Sequence, residues 1–285
     1  MTILEALERA KQLGRMQKAN SPLPTDKLQT SHDDASPLAT KRQPAFTEHF
    51  AALERVAFDL ATCAISRILV TAEQLSAASH AAAAYRLLRS RVLHRIASGD
   101  WSCIGITSAA PGDGKTVTAL NLAISIARDK QRMVYLLDLD MRSPSVWACL
   151  GCRPRHQLSQ YFSEGLAPEQ VLYETSVENL VVAGACDAMQ GASELLASRR
   201  IDELLEHIRL RSPGALIIID LPPVLSTDET LVVAPRTNAL FLVVSEGFTR
   251  RDSLARTIDL LSDFTVAGII LNQSQEKFGT DYYGY

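Results

Sequence analysis

Apolar and polar positions change rhythm several times along the chain. In residues 3–18, Ile3, Leu7 and Ala10 share one helical face, and Arg9, Lys11, Arg15 and Lys18 make the helix basic. This N-terminal element, residues 1–20, is expected either to dock on a membrane surface or a partner, or to stand solvated. Residues 21–45 hold four of the twelve prolines and no Val, Ile or aromatic residue. Such a stretch buries too little surface to order itself and reads as a disordered linker. Residues 46–71 are expected as a helical lead-in. Residues 72–97 predict one long helix: Ala81 to Ala84 are strong helix formers, and Tyr85, Leu88, Val92 and Ile96 recur at helical spacing. Arg86, Arg89, Arg91 and Arg95 decorate it as a solvated face.

After that, short apolar runs alternate with helical segments. The runs are Cys103–Ser108, Met133–Leu139, Asn179–Ala183, Ala215–Asp220, Ala239–Ser245 and Val266–Leu271. Helical patterns lie between several of them, at about 115–128, 194–211 and 250–263. Strand and helix in alternation predict an α/β fold, a mainly parallel sheet covered on both faces. One domain is expected over 72–278, followed by a short tyrosine-rich tail at 279–285.

Composition narrows the class. Of 285 residues, 47% are hydrophobic and 21% charged, enough apolar material for a real core. A net charge of −3 gives no reason to expect nucleic acid as a partner. No apolar run approaches the roughly 20 residues of a membrane span, and the charged N-terminus lacks the apolar centre of a signal peptide. Five scattered cysteines make no disulfide framework in a chain this long. The expected location is therefore cytoplasmic.

The first run ends in SAAPGDGKT, residues 108–116. This approximates the phosphate-loop pattern G-x-x-x-x-G-K-[ST], with Ala109 at the first glycine position and Gly114, Lys115 and Thr116 in place. A strand precedes it and a helical stretch follows, as the motif requires. Backbone N–H groups of such a loop and of the helix start present donors to phosphate oxygens. Gly112 and Gly114 let the backbone approach closely. The predicted nucleotide contacts are Ala110, Pro111, Gly112, Asp113, Gly114, Lys115, Thr116 and Val117. Lys115 would reach the β- and γ-phosphates, and the Thr116 hydroxyl would ligate Mg²⁺. The fold is thus expected to be that of a P-loop NTPase binding ATP and Mg²⁺.

Two more strands end in acid. YLLDLDMR carries Asp138 and Asp140 two residues apart, on one side of the strand, and ALIIIDLPP carries Asp220. Ligands of open parallel sheets lie outside the carboxyl ends of the strands, where all three acids and the loop converge. Asp220 suits Mg²⁺, held directly or through water. Asp138 or Asp140 could accept a proton from an attacking hydroxyl or hold the metal; Asp138 is the first choice for the proton and Asp140 a second metal ligand. Each of these acids, taken alone, could merely cap the next helix. Asp228 is expected to do so. Cys149-x-x-Cys152, with His156 nearby, has no second pair, whereas structural zinc needs four ligands.

Together these residues resemble the bacterial tyrosine kinases, a branch of the deviant-Walker ATPases that include the chromosome-partitioning and septum-site ATPases. The resemblance rests on Pro111 to Thr116, on the D-x-D-x-R of Asp138, Asp140 and Arg142, and on the D-x-P-P of Asp220, Pro222 and Pro223. Ala119, Asn121, Leu122 and Ala123 approximate a following A-x-N-L-A pattern, and Glu194-Leu195-Leu196 and Gly247-x-Thr249-x-Arg251 also match. The resemblance covers about residues 72–285. It implies that Arg142 and Asn272 belong to the nucleotide site, the latter near the adenine. It also implies autophosphorylation of a C-terminal tyrosine cluster, here Tyr282, Tyr283 and Tyr285 of KFGTDYYGY. The opening MTILEALERAKQ and the linker are similar to the exosortase-associated autokinases found with exopolysaccharide genes.

Implied partners are a membrane polysaccharide co-polymerase (a chain-length determinant) as activator, a cognate tyrosine phosphatase, and further copies of the chain packed as a ring. The implied location is peripheral to the inner membrane, through that activator. The family's Glu-x-x-Arg-x-x-Arg interface motif is matched by Arg86 and Arg89, but Ala83 stands at the glutamate, so a ring here would be weaker or built otherwise. Two other functions fit the same loop: a partitioning-type ATPase switch with water as nucleophile, and an inactive nucleotide-binding adaptor.

Overall fold

The structure, a computed structural model, describes residues 53–274. The expected N-terminal helix, the linker, the start of the lead-in and the tail tyrosines lie outside the described residues.

All six apolar runs form strands: β2 (Cys103–Ser108), β3 (Val134–Asp138), β5 (Leu180–Ala183), β6 (Leu216–Asp220), β7 (Ala239–Ser245) and β8 (Val266–Asn272). Two further strands, β1 (Glu54–Val56) and β4 (Tyr173–Thr175), have three residues each, too few for a readable period. The eight make one sheet in the order β1-β4-β5-β3-β6-β2-β7-β8. From β5 to β8 neighbours are parallel; β4 runs antiparallel to β5, and β1 runs parallel to β4.

Alternation along the strands divides the core in two. Tyr135, Leu137, Ile217, Ile219 and Leu240 face one layer, where helix α8 (Arg199–Arg211) buries Ile201, Leu204, Leu205 and Ile208. Val134, Leu136, Ile218, Phe241 and Val243 face the other. There α4 (Lys115–Ala127) buries Leu120, Ala123, Ile124 and Ala127, and α3 (Ser79–Gly99) adds Val92 and Ile96. Burial on both faces explains why the runs read as continuous apolar segments.

Three expected elements are corrected. The helix predicted over 72–97 is two, α2 (Ala72–Ala77) and α3, because Ala78 leaves helical geometry at φ −101°, ψ 44°. The helix predicted over 194–211 is also two, α7 (Ala192–Ala197) and α8, split where Ser198 is extended. The lead-in is not simply helical. Its described part holds β1 and the short helix α1 (Leu60–Ile65), which Asp59 caps through the N–H groups of Ala61 and Thr62. Phe58, Cys63, Ile68 and Leu69 are buried, the first three in the second core, so this segment belongs to the domain. Among the described residues no helix is long and apolar enough to cross a membrane.

Candidate active site

The carboxyl ends of β2, β3, β6, β7 and β8 gather the chemistry. Between β2 and α4 the chain makes its loop with Gly112 and Gly114 at φ +86° and +88°. Gly112 has open space around it, whereas a Cβ on Gly114 would overlap the side-chain amide of Asn272. Gly114 therefore answers to two constraints, left-handed backbone and close approach. Ala109, at the first glycine position, is fully buried and does not have the positive φ that would call for glycine.

Neighbouring elements brace the loop. Asp113 Oδ2 accepts from the Ala110 N–H at 3.0 Å, and Asp113 Oδ1 accepts from Thr249 Oγ1 at 2.7 Å. Asn272 Nδ2 donates to the Asp113 carbonyl at 2.9 Å and Gln273 Nε2 to the Gly112 carbonyl at 3.2 Å. Ser245 Oγ donates to Gln273 Oε1 at 2.8 Å, tying β7 and β8 into the same set. Thus Asn272, expected near a nucleotide base, here holds the phosphate loop itself.

Lys115 lies at the centre. Its Nζ is 2.8 Å from Asp140 Oδ2, 3.4 Å from Asp220 Oδ1 and 3.2 Å from Thr116 Oγ1. Thr116 Oγ1 donates to Asp220 Oδ2 at 2.6 Å. Burial alone would lower the lysine's pKa, but Asp220, Asp140 and Asp138 outweigh it and hold it above its ordinary value. Burial pushes Asp220 up, against Lys115 and the Thr116 hydroxyl.

The two acids of D-x-D-x-R part company. Asp138 is fully buried, and its oxygens accept from the backbone N–H groups of Asp140 at 3.1 Å, Ser145 at 3.0 Å and Val146 at 3.0 Å. It anchors the start of α5 (Val146–Leu150). Burial and the charge of Asp220 push it up to about 7. Asp140, not Asp138, is the acid within ion-pair distance of Lys115.

Arg142, implied at the nucleotide, pairs with Glu229, Nε to Oε1 at 2.7 Å. Asp228 occupies the N-cap position of α9 (Glu229–Val233) without capping it; its carboxylate accepts from Ser193 Oγ at 2.8 Å. Arg89 donates to the Ser125 carbonyl of its own subunit at 3.1 Å. Cys149 and Cys152 are free and half-buried, and among the described residues no group of three or more His, Cys, Asp or Glu could hold a metal ion.

Two members of the site are absent from the sequence reading. Ser145 Oγ donates to Thr116 Oγ1 at 3.0 Å, and Glu229 holds Arg142. No motif marks Ser145, a serine after a proline, and Glu229 is one of several acids before a helix. Only the fold brings them in.

A parallel sheet whose strand ends surround a braced phosphate loop, a lysine and two carboxylates defines a P-loop nucleotide-binding protein. The chain belongs to the ParA family, described as NUBPL iron-transfer P-loop NTPase, whose profile matches residues 101–278. Its curated relatives are bacterial tyrosine kinases. Tyrosine-protein kinase YwqD of Bacillus subtilis is 26% identical over 203 residues, 70% of this chain and 84% of that protein. CpsD of Streptococcus pneumoniae serotype 4 is 28% identical over 189 residues, 64% and 82% of the two chains. The putative tyrosine-protein kinase EpsB of Ralstonia solanacearum is 28% identical over 71% of this chain but only 26% of its own length. Among solved structures, the VpsO kinase domain aligns with a TM-score of 0.62 at 26% identity, covering 69% of this chain and 97% of that one.

Proposed function

We propose that this chain is an ATP-dependent protein tyrosine kinase that phosphorylates its own C-terminal Tyr282, Tyr283 and Tyr285. The observation that carries the reading is Lys115 Nζ clasped between the strand-end acids Asp140 and Asp220, with Thr116 on Asp220. A hydroxyl and two carboxylates around one buried cation are the donor set that Mg²⁺ takes, and the braced loop is a cradle for phosphates. Bound Mg·ATP would supply the phosphoryl group and neutralise its charge.

The chain's own residues do the rest. Lys115 would turn from Asp140 to phosphate oxygens, Thr116 and Asp220 would hold the metal, and Asp140 would be left without its ion-pair partner. For the proton of the acceptor phenol, Asp140 suits better than Asp138, whose oxygens are engaged by three backbone amides. Asp138 then acts through the segment it anchors, including Ser145. Catalysis on this plan is mostly positioning and electrostatics.

The resemblance to exopolysaccharide-associated autokinases supports a regulatory role in polysaccharide synthesis or export. It also supports activation by the cytoplasmic tail of a membrane co-polymerase and assembly of several copies, one presenting its tail to the next. With Ala83 in the interface motif, and Arg89 bonded within its own subunit, such an assembly would use other contacts.

The test is intact-mass and peptide mass spectrometry after incubation with Mg·ATP and the activator's tail, for wild type, Lys115→Met and a Tyr282/Tyr283/Tyr285→Phe variant. Phosphate on tail tyrosines of the wild type alone is the expected result. Hydrolysis of ATP with no phosphate on the chain would replace the kinase by an ATPase switch, and neither activity would leave an adaptor.

A further inference from the structure

The pair between Arg142 and Glu229 is one-sided. The Arg142 side chain is 54% exposed, whereas that of Glu229 is 0% exposed. Glu229 Oε1 accepts from Arg142 Nε, while its Oε2 is buried with no hydrogen-bond partner among the described residues. The guanidinium is held by Nε alone; among the described residues Nη1 and Nη2 have no hydrogen-bond partner. As a stabilising device this is poor. A buried carboxylate with an unmet acceptor is a net burden, and apolar or neutral replacements of such groups are often neutral or stabilising. What the pair does achieve is to fix a cation.

The backbone beneath that cation is fixed as well. Arg142 sits in a tight turn that the Ser143 N–H closes on the Asp140 carbonyl at 3.2 Å and on Asp140 Oδ1 at 3.1 Å. The Met189 N–H donates to the Met141 carbonyl at 2.8 Å from the other side. The same Asp140 carries its Oδ2 on Lys115. The hydrogen bond to Glu229 and the charge of that residue, with smaller contributions from Asp228 and Glu194, raise the guanidinium's pKa, so it stays charged. A charged, half-exposed guanidinium with its planar fork unused, two residues beyond an acid that touches the phosphate-loop lysine, is suited to an oxyanion of phosphate geometry.

We infer that Glu229 is a positioning residue: it holds Arg142 by Nε so that both Nη groups are free to bind a phosphoryl oxyanion at the mouth of the site. This rests on the kinase reading only for the identity of that group, either the phosphoryl leaving the nucleotide or the phosphotyrosine just formed. Arg142 is the residue that would touch it; Glu229 acts through Arg142.

The test compares full-length wild type, Glu229→Gln, Arg142→Ala and the double variant. Two probes are titrated, orthovanadate in the presence of Mg·ADP and a phosphotyrosyl peptide spanning Gly279–Tyr285. Melting temperature and the affinity for Mg·ADP alone are recorded alongside. Glu229→Gln keeps size and an acceptor for Nε but removes the charge. The bond that fixes the guanidinium loses its charge assistance, and one of the probes is expected to bind about tenfold more weakly. Mg·ADP affinity should not change, and the melting temperature should hold or rise.

The double variant should be no weaker than Arg142→Ala. Loss of orthovanadate binding assigns the transferring group, and loss of peptide binding assigns the product. If Glu229→Gln binds both probes like wild type, or if its losses multiply with those of Arg142→Ala, the positioning role is wrong. Should the wild type fail to label its tail, the kinase reading falls, yet the orthovanadate comparison still decides the role of Glu229.

Discussion

A lysine buried against two carboxylates makes the site electrostatically closed on itself. Asp220 is fully buried, so Lys115→Met strands its charge. Breaking a buried pair by removing one partner destabilises by roughly 3 kcal/mol or more. Urea unfolding of Lys115→Met without nucleotide should show that loss, and adding Asp220→Asn should restore part of it. The acids set a pH dependence of the opposite kind from ordinary surface carboxylates. Burial, together with Asp220, raises Asp138 from 3.8 to about 7, and burial also raises Asp220 and Glu229. Between 3.8 and about 7 the folded chain keeps a proton on Asp138 that the unfolded chain has lost, so stability falls as pH rises through that window. The urea midpoint should be higher at pH 5 than at pH 8, with a smaller difference in Asp138→Asn. At this scale the sequence disclosed Lys115, Thr116 and the three acids, because motif spacing reports which residues share a strand end. It could not separate Asp138 from Asp140. That distinction is made by the amides of Ser145 and Val146, which arrive from a turn with no motif of its own.

The loop between β2 and α4 shows how elements hold a site in place. Both of its glycines have left-handed backbone, but only Gly114 is also crowded. Gly112→Ala should lose about 1 kcal/mol through backbone strain, and Gly114→Ala distinctly more, a contrast that thermal unfolding of the two variants would measure. The turn after β7 reaches the loop through Thr249, which donates to Asp113. Thr249→Val removes that hydrogen bond and also the one its hydroxyl accepts from the Ser245 N–H at 2.8 Å, each worth about 1 kcal/mol. Nucleotide affinity measured by calorimetry should fall by roughly fivefold, and the melting temperature should fall with it. The long elements were legible because their periods run for many residues. The breaks at Ala78 and Ser198 were not, since a helical period continues across one misplaced residue. The three-residue strands β1 and β4 were invisible for the opposite reason, that nothing so short has a period.

The whole molecule is larger than its motifs. The resemblance in sequence begins at about residue 72, but the second core also takes Phe58, Cys63 and Ile68 from the segment before it. Each fully buried aliphatic side chain contributes about 1.5–3 kcal/mol. A chain beginning at residue 72 should therefore melt well below one beginning at residue 53, as differential scanning calorimetry would show. The sheet has a second consequence. β8 is an edge strand, it ends at Asn272, and Asn272 and Gln273 both donate to carbonyls of the phosphate loop. The root of the tail is thus a working part of the loop. Tyr282 lies nine residues beyond Gln273, a leash of at most about 32 Å. A pull on the chain beyond Gln273 would therefore act on these two amides and, through them, on the backbone of Gly112 and Asp113 that cradles phosphate.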